Sequence, residues 1–137
     1  MLNDGTLRII DVNFNRSKEG LRVIEDIFRF ILINDVLRRK TRKIRHSLDG
    51  VLEKKLVRKA ILNRNSKKDI GKKFDHLEAK RVDCQAILYA NFQRVKESLR
   101  VLEEFFKLSK SKGSSKIKTI RYEIYNLEKK AFKLLFQ

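Results

Sequence analysis

The sequence predicts an all-α helical bundle made of two helical hairpins related by a pseudo-two-fold, with a long crossover loop between them. Three observations carry this. The 137 residues include no proline and only five glycines, and are rich in Leu, Ile, Lys, Arg and Glu, a mixture that favours long helices. The stretch NFNRSKEGLRVIED (residues 13–26) returns as NFQRVKESLRVLEE (residues 91–104), with nine of fourteen positions identical and a constant offset of 78. KIRHSLDGVLEKK (residues 43–55) is echoed by TIRYEIYNLEKK (residues 119–130); Arg45 matches Arg121 at an offset of 76, and the LEKK endings match at 75. One residue has therefore been gained or lost within this second repeat. Neither hairpin can bury its apolar face alone, so two copies are expected to close on each other.

Each element has its own local signals. NDGT at residues 3–6 supplies capping groups ahead of an apolar-periodic run, which predicts a first helix over about 7–33. Asn34 and Asp35 break that pattern and cap a second helix over about 36–61. The polar segment at about 63–81, interrupted by Gly71, reads as the crossover connection. Asp83 caps a third helix reaching about 109; SKSKGSS is a linker of small and basic residues, and a fourth helix fills about 116–135. The chain is expected to be a single domain over 1–137, with repeats at about 7–61 and 82–135.

Composition narrows the function classes. No run approaches 18 uninterrupted apolar residues, the N-terminus has no signal-peptide pattern, and the lone Cys84 has no internal disulfide partner. A soluble, cytoplasmic protein without a membrane partner is expected. The net charge of +17 and pI near 10.3 raise the prior for polyanions: nucleic acid, anionic membrane or phosphorylated small molecules. A charged fraction of 37% also suits a thermophile or an AT-rich genome. No G-x-x-x-x-G-K-[ST], G-x-G-x-x-G or H-E-x-x-H is present.

The duplicated helix carries a polar stripe on its apolar face. At about 100° per residue, Ile9, Ile10, Ile24, Ile27, Phe28 and Ile31 share one side; Asn13 points to its middle, Gly20 lies beside it and Arg16 sits toward an edge. Asn91, Ser98 and Arg94 take the same places in the third helix. Glu19 and Asp26, like Glu97 and Glu104, adjoin the arginines as potential partners. Two readings stay open. One is a buried polar network that fixes helix register. In the other, the small residues Gly20 and Ser98 open a cavity where amide, guanidinium and carboxylate groups meet a phosphorylated ligand, with or without Mg²⁺. Arg22/Glu25 and Arg100/Glu103 point the other way, as solvent-face pairs.

In the crossover, KKDIGKK sets Asp69 and Gly71 among lysines, either a solvated basic loop or an anion-binding lid. His46, beside Arg45, is a general base, a phosphate donor or an ordinary packing residue; His76 has no identifiable partner. Tyr122 and Tyr125 read as core or rim residues.

The ordered set RIIDVNFNRSKEGLRVIED, IRH, DIG, NFQRVKESLRVLEEF and IRYEIYNLEK, spanning about residues 7–131, resembles a small helical domain of thiamine biosynthesis. That domain is usually fused in front of a thiamine-phosphate synthase barrel and is regarded as an alternative hydroxymethylpyrimidine-phosphate kinase. The resemblance implies phosphoryl transfer from ATP, with Mg²⁺, to 4-amino-5-hydroxymethyl-2-methylpyrimidine phosphate. It implies phosphate clamping by Arg16 and Arg94, pyrimidine or phosphate contacts from Asn13 and Asn91, and Mg²⁺ binding or arginine support from Glu19, Asp26, Glu97 and Glu104. It further implies that Arg45, His46 and Arg121 line the same cavity and that Asp69 to Gly71 close over it. The expected partners are the phosphorylated pyrimidine, a nucleotide and a separate thiamine-phosphate synthase, and a homo-oligomer is compatible. The barrel is missing here, and Lys72 stands where the pattern has a small hydroxyl residue. The alternatives are a non-catalytic pyrimidine-phosphate-binding module serving the synthase and, from charge alone, a nucleic-acid-binding helical protein.

Overall fold

A computed structural model of the chain describes residues 2–73, 80–109 and 112–136. His76 lies outside the described residues. The fold is an all-α bundle: α1 (Asp4–Asp26), α2 (Asp35–Val51), α3 (Lys54–Leu62), α4 (Cys84–Phe106) and α5 (Gly113–Leu135). Three helices start where side-chain caps were expected. Asn3 Oδ1 accepts from the Thr6 N–H at 2.8 Å, Asn34 Oδ1 from Leu37 at 2.9 Å, and Asp83 Oδ1 from Ala86 at 2.7 Å.

α1 and α2 form one hairpin and α4 and α5 the other. They pack in a ring in which α1 meets α4 and α2 meets α5. Large apolar side chains from both copies fill the centre, among them Leu21, Phe28, Leu99, Phe92, Phe106 and Ile124, all essentially inaccessible. Each such residue stabilises the fold by about 1.5–3 kcal/mol relative to exposure.

The two-fold is visible atom by atom. Ser17 and Ser98 hydroxyls meet at 2.7 Å. A methyl group at Gly20 would stand 2.7 Å from Val95 Cγ2. Because residue 20 corresponds to 98 and 17 to 95, the Gly20/Val95 approach is the symmetry mate of the Ser17/Ser98 contact. Of the two small residues expected to open a cavity, Gly20 lines the hollow beside this seam, whereas Ser98 is buried in the seam and does not. Both let two antiparallel backbones come close.

A second staple joins the helices within each hairpin. Glu25 Oε2 accepts from Arg45 Nε at 3.0 Å, and Glu103 Oε2 from Arg121 Nε at 2.9 Å. Both carboxylates are only 5% exposed, which corrects the solvent-face assignment of Arg22/Glu25 and Arg100/Glu103. A wheel drawn for one helix cannot show which flank its hairpin partner covers, and here α2 and α5 cover the flank bearing the glutamates. Arg22 and Arg100 remain more distant, outer partners at 3.6 and 3.7 Å.

The copies differ at their ends. The predicted second helix is broken: Leu52 and Glu53 are extended, dividing it into α2 and α3. The break falls where the repeat offset drops from 76 to 75, whereas α5 runs unbroken through its LEKK. At the tip of the first hairpin α1 widens into a π-helical turn, Ile27–Ile31. There Leu32 N–H donates to the Ile27 carbonyl at 2.9 Å and Asn34 N–H to Phe28 at 2.8 Å. Ile33 follows with φ 50°, the one non-glycine described residue with positive φ. No helix of the described residues is long and apolar enough to cross a membrane.

Candidate functional site

A hollow of about 850 Å³ opens beside the α1–α4 contact and under the start of the crossover. α1 supplies Arg8, Asp11, Arg16 and Glu19; α4 supplies Asn91 and Arg94; the crossover supplies Arg64 and Asp69. Arg16 and Arg94 are two-fold mates, and neither makes an ion pair or side-chain hydrogen bond with the described residues. Two cations thus border one hollow without an ion-pair partner, although Asp11, Glu19 and Asp69 also line it. Glu19 also has no ion pair among the described residues, so it is not the partner of Arg16 that the sequence suggested.

The asparagines play unequal parts. Each donates Nδ2 to the carbonyl one turn earlier, Asn13 to Ile9 at 2.9 Å and Asn91 to Ile87 at 2.8 Å. Asn13 is 4% exposed and does not line the hollow, whereas Asn91 is 9% exposed and does. Asn91 Oδ1 accepts no hydrogen bond from the described residues and lies 3.9 Å from where a Cβ on Gly20 would stand, at the hollow.

The crossover is pinned by a pair the sequence did not announce. Arg64 Nε and Nη2 donate to Asp11 Oδ2 and Oδ1 at 2.6 and 2.7 Å, a two-pronged geometry suited to guanidinium and carboxylate. That hydrogen bond, with the Asp11 charge, raises the Arg64 pKa above its ordinary value. Downstream, Asn65 Oδ1 caps a short turn by accepting from Lys68 N–H at 3.2 Å, and Gly71 N–H donates to Asp69 Oδ1 at 2.8 Å. Asp69 reaches the rim of the hollow; Gly71 does not line it.

Several expected site residues lie elsewhere. Arg45 and His46 line a second hollow, between α1 and α2, and share it with Arg22 and Arg42. Arg121 is buried against Glu103, with the Tyr122 and Tyr125 rings 5.3 and 5.9 Å from its guanidinium carbon. Burial pulls its pKa down, but the hydrogen bond and charge of Glu103 outweigh that and the net shift is upward. The placement of Arg45, His46 and Arg121 around the arginine–asparagine hollow is thus corrected: the staples turn them toward their own hairpins. Glu104 pairs with Lys107 at 2.9 Å and Arg100 at 3.3 Å on the surface; Asp26 and Glu97 are exposed and outside the hollow. Among the described residues no three His, Cys, Asp or Glu side chains gather as a metal-binding group. Glu19, Asp26 and Glu97, expected to bind Mg²⁺ or support the arginines, are not part of any such group.

Fold and site together define a class: a duplicated-hairpin helical domain whose antiparallel central helices present paired guanidinium groups to one hollow. Residues 8–130 match the ThiD2 family, and the chain belongs to it. It is similar to thiamine-phosphate synthase of Synechocystis sp., with 41% identity over 122 residues, 88% of this chain and 34% of that protein. Thiamine-phosphate synthase of Nostoc punctiforme is 39% identical over the same shares, and that of Rhodopirellula baltica 34% identical over 87% of this chain and 32% of its own length. The chain spans about a third of the length of the curated relatives it matches. No solved structure matches it.

Proposed function

We propose that this chain is a phosphotransferase of thiamine biosynthesis, moving the terminal phosphoryl group of ATP onto 4-amino-5-hydroxymethyl-2-methylpyrimidine phosphate to give the diphosphate and ADP. Membership of the ThiD2 family and similarity to thiamine-phosphate synthases support the pathway. The observation that carries the site is the pair Arg16 and Arg94, unpaired by any described carboxylate and facing a hollow within the size range of small-molecule sites.

The chemistry asks little covalent work of the protein. The nucleophile is a phosphate oxygen of the monophosphate, which is already mostly ionised at neutral pH, so no general base is needed. The obstacle is repulsion between two polyanions, and catalysis consists of neutralising and aligning them. In this reading Arg16 and Arg94 clamp the phosphates, Arg8 adds charge at the mouth, and Asn91 Oδ1 accepts from the 4-amino group of the pyrimidine. Arg64, fixed by Asp11, is a positioning residue that holds the crossover over the ligand. The described side chains do not form a cage for Mg²⁺, but they fit a cation arriving on nucleotide phosphates, with Glu19 the carboxylate that would face it. Such a cation supplies charge neutralisation.

Incubating the purified protein with the monophosphate, ATP and Mg²⁺ tests this reading: ADP and the diphosphate should appear in equal amounts. A second reading is a non-catalytic module that holds the pyrimidine phosphate for a thiamine-phosphate synthase. It is favoured by relatives that are synthases about three times as long as the matched segment. Saturable binding of the monophosphate without turnover would select it.

A further inference from the structure

The hollow between α1 and α2 has no role in that reading. Its volume is about 750 Å³, and it shares no lining residue with the hollow at Arg16 and Arg94. Five guanidinium groups (Arg22, Arg29, Arg38, Arg42 and Arg45) and His46 face it, against the carboxylates of Glu25 and Asp35. We infer that it is a second anion site, built for a linear chain of two or more phosphates.

The two carboxylates are already committed. Glu25 is bonded to Arg45, with Arg22 farther off, and Asp35 holds Arg38 at 2.8 Å and Arg39 at 2.9 Å. Arg29 and Arg42 have no carboxylate partner among the described residues. Arg38, Arg42 and Arg45 recur at one-turn spacing on α2, while Arg22 on α1 and Arg29 on the π-helical turn that continues it stand seven residues apart, so the charges form two facing rows. Two rows of cations across a hollow repel each other unless an anion lies between them, and a phosphate chain offers acceptor oxygens to both rows along its length.

The backbone here departs from regularity, and among the described residues the second hairpin has no π-helical turn and no positive-φ residue. The π-helical turn carries Phe28 and Arg29, and Ile33 at the rim is a β-branched residue at positive φ. Wide turns and strained residues of this kind collect at ligand sites. The second hairpin keeps the glutamate–arginine staple but stacks aromatic rings on it: Tyr122, the counterpart of His46 at an offset of 76, lies over Arg121. The copies have diverged in their cations: Arg29 corresponds to Lys107 at an offset of 78, and Arg38 and Arg42 to Ser114 and Lys118 at an offset of 76.

The test is calorimetric titration of the full chain with sodium tripolyphosphate and with ATP, at physiological salt. The double variant Arg29→Gln/Arg42→Gln should weaken tripolyphosphate binding at least tenfold with unchanged circular dichroism, whereas Lys129→Gln/Lys133→Gln, which removes the same charge from exposed positions of α5, should change it less than twofold. Tighter binding of ATP than of tripolyphosphate, with the excess lost in Arg29→Gln/Arg42→Gln, identifies a nucleotide as the natural source; equal binding identifies the phosphate chain itself. Three results overturn the inference: equal losses in both double variants, binding abolished by Arg16→Gln alone, or displacement of tripolyphosphate by a short single-stranded oligonucleotide at lower concentration than by ATP. Turnover is not read at any point, so failure here leaves the phosphotransferase reading standing, and the reverse holds.

Discussion

Ser17 Oγ and Ser98 Oγ stand 2.7 Å apart across the α1–α4 seam; one hydroxyl donates to the other, which donates in turn to a carbonyl of its own helix, that of Asn13 for Ser17 or of Arg94 for Ser98. This pair and its symmetry mate, Gly20 against Val95, set how closely the duplicated helices approach. The guanidinium groups of Arg16, next to Ser17, and Arg94, one turn before Ser98, reach a common hollow because of that approach.

Gly20→Ala should therefore destabilise the fold although alanine is the better helix former. The propensity gain is about 1 kcal/mol, whereas overpacking of this kind costs about 1–3 kcal/mol, and a β-branched neighbour such as Val95 yields poorly. Urea denaturation should show a net loss, and Val95→Ala in the same chain should recover most of it.

Glu103→Ala should cost more than Glu25→Ala. Each change leaves a guanidinium without its buried partner, which costs about 3–5 kcal/mol when burial is complete. Arg121 is the more enclosed of the two arginines, at 11% side-chain exposure against 17% for Arg45. Denaturation midpoints should fall in that order, and an equal or reversed order would contradict the staple as described.

The duplication made the fold legible, because matched polar and apolar positions at an offset of 78 required two similar hairpins to face each other. The caps at Asn3, Asn34 and Asp83 were legible for the same local reason. Arg16 and Arg94 stood out as charges repeated beside an apolar face. The Glu25 and Glu103 staples were equally repeated, but their direction depended on which flank the partner helix covers. Asp11 and Arg64 gave no signal: they lie 53 residues apart, and the repeat equivalent of Asp11 is Tyr89. The hollow at Arg42 escaped notice because its rows come from two helices whose facing surfaces emerge only on packing.

Asn13 and Asn91 should separate structure from binding. Both Ala variants lose the bond to the preceding turn, so both should lose stability by about 1 kcal/mol. Only Asn91→Ala should also weaken binding of the pyrimidine monophosphate, by about tenfold, as one hydrogen bond implies. Equal binding losses, measured well below the unfolding transition, would contradict the assignment.

The Asp35 carboxyl should titrate below the ordinary aspartate value. Arg38 lowers it chiefly by hydrogen bonding; desolvation opposes this, and the charges of Arg38 and Arg39 add lesser lowering contributions, leaving the net shift downward. A carboxyl lowered in the folded state stabilises the fold above its unfolded pKa, and that contribution is lost as pH falls through the folded pKa, here below about pH 4. Carboxyl carbon shifts from NMR should show a depressed midpoint that Arg38→Gln moves back up; an ordinary midpoint in the unmodified chain would contradict it.

Arg64→Ala should leave the helical content intact while weakening the hold on the crossover. Hydrogen exchange should speed up at the amides of Lys68 and Gly71, and monophosphate affinity should fall by about threefold to tenfold.

The central claim is that Arg16 and Arg94 grip one phosphorylated ligand between them. Its most direct test is the affinity of the pyrimidine monophosphate for the unmodified chain and for Arg16→Ala/Arg94→Ala, measured by calorimetry with the fold checked by circular dichroism. Saturable binding that falls at least a hundredfold in the double variant is the expected result. A folded double variant that binds the monophosphate as tightly as the unmodified chain would contradict the account.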